Sequence, residues 1–328
     1  MAGIPIRLAP LPGEALDSWL GAYADLLHVI VRDIFRFAGI DCGRAGRGQL
    51  SGKPWLHQLA EPELAALSAA TGVPAQTLAG MTLARYHGTG LAARPGIQPG
   101  PRWWRQPSGS RYCPRCLAAN GGRWMLAWRI PWAFACPGCQ VLLADTCPDC
   151  GRRHRGTRPG RPRGPGRCDL TGLPLPAWRP AAGTPTCGSD PAATPAVALP
   201  AGGHVLAAQQ HTDAVIAALL SAQGRPAEAA ALRQYLDDAC AVTRAAISAA
   251  GRTAIFFPAA LTAVLDELGA RTGPMSAFTS PPRAPPRQLA PVTAFAVAVA
   301  DIMLHGRPVD PDPSSPAGSP ATPPAAAR

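Results

Sequence analysis

The chain has 328 residues and a net charge of +11, with 39 Pro and 34 Gly. That length accommodates two or three small domains. No charged-then-apolar leader follows Met1, and Pro291 to Leu304 is too short for a bilayer span and carries Asp301, so a soluble cytosolic protein with no membrane partner is expected.

The first segment, "PLPGEALDSWLGAYADLLHVIVRDIFRFAGI", opens with a turn at Pro12-Gly13. Leu16, Leu20, Tyr23, Leu27, Ile30 and Ile34 then recur at helical spacing, which predicts one long helix or two short ones between Ala15 and Ala38, with Gly39 as the stop. In "PELAALSAATGVPAQTLAGMTL", Pro62 suits a first helical turn. Leu64, Leu67 and Ala70 form one apolar face, Gly72 supplies a left-handed turn residue, and Pro74 starts a second helix containing Leu78. Small Ser68 and Gly72 with Val73 and Leu78 match the spacing of a helix-turn-helix. Ala75 to Gly80 contains no Arg or Lys, which favours an ordinary helical hairpin over a DNA-reading one.

A Gly/Pro/Arg-rich connector from Arg85 to Pro107 leads into the cysteine region. Between Pro101 and Pro180 fourteen Arg face three acids, Asp145, Asp149 and Asp169, so this stretch carries the whole net charge. Genome bias explains Arg over the single Lys, Lys53, but not the scarcity of acids here. Such local charge predicts a polyanionic partner, double-stranded DNA first. The candidate contacts are Arg123 and Arg129, which flank tryptophans, and Arg152, Arg153, Arg155 and Arg158 in the basic loop "RRHRGTRPGRPRGPGRCD". Trp124, Trp128 and Trp132 are spaced by four, predicting a helical stripe over a small metal-centred core, with base stacking as the alternative.

Eight cysteines run as Cys113-x2-Cys116, Cys136-x2-Cys139, Cys147-x2-Cys150, then Cys168 and Cys187. In a reducing cytosol such pairs point to metal or redox chemistry rather than disulfides. Three C-x-x-C pairs within forty residues, without a thioredoxin-like βαβ pattern, favour metal. Two four-thiolate sets predict two zinc ions. Sequential pairing gives Cys113, Cys116, Cys136 and Cys139 as a ribbon-type first site, and Cys147, Cys150, Cys168 and Cys187 as the second. His154 is the spare ligand, and a crossed arrangement remains open. Cys42 and Cys240 have no partner in sequence, and Cys240 is expected in a helical core.

Catalytic zinc usually adds His, Asp or Glu ligands and a general base. No Glu lies between Pro101 and Pro180, and no phosphate loop or nucleophilic triad order is visible, so no enzyme is expected. Beyond Gly203, "HVLAAQQHTDAVIAALLSAQG" and three later segments read as helices, and the Pro/Ala tail after Pro308 reads as disordered. The expected organisation is an N-terminal helical domain over 1–100, a double zinc module over 101–190, a C-terminal helical domain over 200–307 and a tail over 308–328. The fold class is mainly α, with helix-turn-helix-like bundles around a central double zinc-ribbon or zinc-finger module.

Together "PLPGEALDSWL", "RYCPRCL", "RWMLAWRIPWAFAC", "LLADTCPDCGRR" and "GRCD" resemble the TniQ family of transposition proteins, over roughly Pro5 to Leu304. The resemblance implies a non-catalytic, nucleoid-associated adaptor in target-site selection. Such a protein connects target DNA, or a targeting complex on it, to an AAA+ ATPase and a transposase. Where the family often has CP-x-H, this chain has "CPGC", so Cys139 stands in for a histidine. The N-terminal helical stretch also lacks a turn glycine. The other reading is a transcription regulator built from the same parts, which binding to its own promoter would favour.

Overall fold

The computed structural model describes residues 3–40, 54–87, 109–130, 132–155, 166–168 and 187–222, and single positions 230, 234, 238, 264, 266–268, 294 and 297–298. The elements in chain order are α1 (Leu16–Leu26), α2 (Val31–Phe37), α3 (Pro54–His57), α4 (Glu61–Thr71), α5 (Ala75–Gly80), α6 (Pro114–Ala119), β1 (Ala135–Cys136), β2 (Val141–Leu142) and α7 (His204–Ser221). The described part is helix-rich, with little sheet. No helix among the described residues is long and apolar enough to cross a membrane.

The N-terminal apolar run forms two helices rather than one. His28 takes a left-handed backbone (φ 54°), Val29 N–H donates to Ala24 O at 2.9 Å and His28 N–H to Asp25 O at 3.1 Å. This is a Schellman stop made without glycine. The same pair of bonds closes α2, from Ile40 N–H to Phe35 O and from Gly39 N–H to Arg36 O. Because the helix breaks, Ile30 leaves the apolar face and is exposed, while Leu16, Leu20, Tyr23 and Ile34 stay buried. The α4–α5 hairpin follows the predicted pattern. Gly72 (φ 74°) ends α4 and Leu78 of α5 is fully buried. The Arg7 guanidinium lies directly over Gly72, where any side chain would collide with it.

Two hydrophobic clusters divide the described chain. The first joins Trp19, Leu20, Tyr23, Phe35, Leu67, Val73 and Leu78 with Ile4 of the N-terminal arm. The second begins at Leu83 and Tyr86, runs through Tyr112, Leu117, Trp124, Phe134 and Val141, and includes Val205, Leu206, Ile216 and Leu219 of α7. Each buried aliphatic side chain contributes about 1.5–3 kcal/mol. Helix α7 therefore shares a core with the β1–β2 hairpin. Its Gln209 accepts from Phe134 N–H at 2.8 Å and Ala135 N–H at 3.0 Å, and the Glu267 carboxylate caps its start by accepting from His204 and Val205 N–H. Ala230, Gln234, Asp238, Val264, Ala294 and Val297 are helical. Most residues of the other three C-terminal helices expected from sequence, the tail and both Cys42 and Cys240 lie outside the described residues.

One element differs from expectation. The tryptophan segment is not an α-helix: it contains a 3-10 turn over Leu126–Arg129. Trp124, Trp128 and Trp132 are nonetheless buried, at 3%, 6% and 4% exposure, which rules out base stacking by their rings. Trp124 packs against Tyr112, Trp128 and His154.

Candidate metal centres and the arginine segment

The first cysteine set is built from two different local structures. Cys113 caps α6 and Cys116 lies in its first turn, where Cys116 N–H donates to the Cys113 sulfur at 3.4 Å. Cys136 ends β1 and Cys139 sits in the hairpin turn, which closes through Gln140 at φ 53°. The hairpin is antiparallel, with Cys136 opposite Val141. One half is thus a helix start and the other a β-hairpin.

The second set combines the tight Cys147–Cys150 turn with two singles from distant chain. Cys147 N–H donates to Arg152 O at 2.8 Å and Gly151 N–H to Cys147 O at 3.0 Å. Cys168 and Cys187 are brought together by Cys168 N–H to Ser189 O at 2.8 Å and Gly188 N–H to Cys168 O at 3.0 Å.

Within each set all four sulfurs lie within 4.8 Å of one another. A tetrahedral zinc with Zn–S of about 2.3 Å requires S···S separations of about 3.8 Å. The separations are 3.6 Å for Cys116–Cys136, 3.5 Å for Cys116–Cys139, 3.7 Å for Cys147–Cys187 and 3.8 Å for Cys150–Cys168. Both quartets can hold a metal ion, and the pairing is sequential rather than crossed. Cys136 is held down to about 2 by thiol hydrogen bonds from Cys113 and Cys116, while Cys116 is pushed up by its bonds to Cys113 and Cys136. Four crowded sulfurs cannot all ionise without a central positive charge.

His154 belongs to neither quartet. Its ring is 2% exposed, edge-on to Tyr112 at 5.1 Å, and burial followed by the charge of Arg155 lowers it to about 4. It is a neutral core residue.

The arginines nominated as DNA contacts separate into three groups. Arg123 and Arg129, expected at a DNA surface, turn inward onto carboxylates. Arg123 forms an ion pair with Glu14, through Nε to Oε1 at 2.8 Å and a second, shorter contact from Nη2 to Oε2. Arg129 is 3% exposed and pairs with Asp17 at 2.6 Å. Burial lowers the pKa of Arg129 and the Asp17 charge opposes that shift. Arg153 and Arg155 are largely covered, pairing with Asp145 at 3.1 Å and Asp17 at 3.0 Å. Arg155 also stacks over Trp124, 5.0 Å from the ring centre. Arg152 is half-buried, and Arg158 lies outside the described residues.

Glu14, Asp17 and Ser18 are the residues that sequence reasoning missed. Ser18 Oγ donates to Glu14 and accepts from Trp124 N–H at 2.8 Å, while Ala15 N–H donates to Trp124 O and Leu126 N–H to Gly13 O. "GEALDS" and "RWMLAWR" are therefore partners across the interior, each supplying what the other needs. The available signal was the presence of two acids in a stretch otherwise predicted to be an apolar helix face. Asp145 plays the same part for Arg111, which is fully buried and paired at 3.1 Å.

The TniQ family model matches residues 5–143. No curated protein matches the chain. The matched region contains the two interlocked motifs and the complete first quartet, and stops before Cys147. Residues 5–143 are thus similar to the TniQ family, whose members are accessory proteins of DNA transposition.

Proposed function

We propose that this protein is a non-catalytic DNA-binding adaptor of transposition. It helps select the target site and bridges target DNA, or a targeting complex on it, to an AAA+ ATPase and a transposase. Its place is the cytoplasm, at the nucleoid. The observation that carries this reading is the TniQ-like region joined to two tetrathiolate sets in one arginine-dense segment. Four thiolates per ion give closed zinc sites of the structural kind, in which Cys113, Cys116, Cys136 and Cys139 hold one ion and Cys147, Cys150, Cys168 and Cys187 the other. The ions supply folding energy to the segments they join.

With Arg123 and Arg129 committed to the interior, the phosphate-facing charge is assigned to the basic run after Cys150, with Arg152 and Arg158 as leading contacts. Arg153 and Arg155 join them only by exchanging an internal carboxylate for a phosphate. The test is duplex DNA binding across a salt series. Each phosphate contact adds about 0.9 to the log–log slope. Replacing Arg152 and Arg158 with Ala should flatten the slope without altering metal content. An unchanged slope removes this run from the interface, and salt-independent or absent binding overturns the DNA reading itself.

A further inference from the structure

At each of the two cysteine sets an exposed arginine beside one ligand bonds a main-chain carbonyl at or next to another ligand. Arg115 lies inside the first knuckle, between Cys113 and Cys116, and its side chain crosses to the other half, where Nη1 donates to Cys139 O at 2.8 Å. Arg167 immediately precedes Cys168, and its Nη1 reaches Gly188 O, beside Cys187, at 3.4 Å. Arg115 thus bonds a ligand's carbonyl in the opposite half of its set, whereas Arg167 ties together the two single-cysteine segments that make one half of the other set. Both residues are exposed, so core packing does not explain them. Among the described residues neither forms an ion pair of the kind that holds Arg123, Arg129, Arg153 and Arg155.

The chemistry of the sets gives such an arginine a purpose. Four thiolates around one divalent ion leave an excess of two negative charges. A guanidinium is charged at any working pH and keeps spare N–H donors after bonding one carbonyl. It can therefore tie two ligand-bearing segments together and offset the excess charge in the same position. Groups just outside a metal's ligands commonly govern how firmly it is held.

We propose that Arg115 and Arg167 are positioning residues for the two metal ions, Arg115 latching the two halves of its set and Arg167 holding together the Cys168 and Cys187 segments of the other, and that each slows metal loss. This rests on the reading that the quartets hold metal. The test uses the full chain loaded with zinc, and separately with cobalt(II). In Arg115→Ala, one of the two ions should pass to a chromophoric chelator about tenfold faster. Arg167→Ala should act on the other ion and by less, because its bond is longer than the usual range. Arg115→Lys, which keeps the charge, should restore part of the retention. Arg115→Gln should shift the cobalt thiolate charge-transfer band, a response that general loosening of the fold would not give. Unchanged release and unchanged spectra in both arginine series, with two ions still bound, would overturn the proposal. So would a flattened DNA salt slope in Arg115→Ala with normal metal release, which would make these residues phosphate contacts. Wild-type protein that binds no metal would instead defeat the underlying metal reading.

Discussion

Replacing Asp17 with Ala tests the interior charge lattice most directly. Asp17 is 1% exposed and holds two guanidinium groups, Arg129 at 2.6 Å and Arg155 at 3.0 Å. Arg129 has nowhere to go: its side chain is 3% exposed, and its other bond among the described residues runs to Arg155 O at 3.2 Å. Removing the carboxylate leaves a buried cation without its counter-charge, at a cost of about 3–5 kcal/mol. Against a typical total of about 5–15 kcal/mol, that is a large fraction of the fold's stability. The surface pair Arg36–Asp33, with side chains 73% and 42% exposed, is the internal control, and Asp33→Ala should cost less than about 1 kcal/mol. The assay is urea unfolding of the metal-loaded protein followed by tryptophan fluorescence, since Trp124 lies beside Arg155. Replacing Asp17 and Arg129 together by apolar residues should recover part of the loss, because the buried charge leaves with its partner. If Asp17→Ala costs no more than Asp33→Ala, the lattice does not stabilise the fold and the inward assignment of Arg129 fails.

Gly72→Ala should destabilise by about 1–2 kcal/mol, since φ 74° disfavours a side chain while the exposed end of Arg7 moves aside for the new Cβ; thermal unfolding measures it. Gln209→Leu strips two buried amides, those of Phe134 and Ala135, of their acceptor, at about 1–3 kcal/mol each, and faster hydrogen exchange at both should report it. Below pH 6.5 the His154 ring resists protonation because burial and Arg155 hold it near 4. The folded state then binds fewer protons than the unfolded one, so its contribution is complete above pH 6.5 and falls by about 3 kcal/mol towards pH 4. His154→Phe should remove that part of the acid slope, read as the difference between variant and wild type so that cysteine protonation cancels.

The sequence by itself determined whatever depends on near neighbours. The C-x2-C knuckles were legible because two thiolates on one tight turn need only four residues. The α4 stop was legible because Gly72 is the residue that tolerates a left-handed backbone there. The His28 stop was not, because a histidine reaches that region only when packing requires it, and Ala24 and Asp25 carbonyls settle the matter locally. The tryptophans cover the core as the stripe predicted from spacing by four would, but the helix that spacing implies is replaced by a short 3-10 turn. What only the tertiary structure decided is the destination of the charges. Arg123 and Arg129 meet Glu14 and Asp17 across 109 and 112 residues of sequence, and Arg155 meets Asp17 across 138. A guanidinium near tryptophans reads as a phosphate ligand or as half of a buried pair with equal ease, because the two differ only in whether a carboxylate from elsewhere arrives first. Folding delivers that carboxylate, and an arginine inside an apolar core remains charged only with it in place.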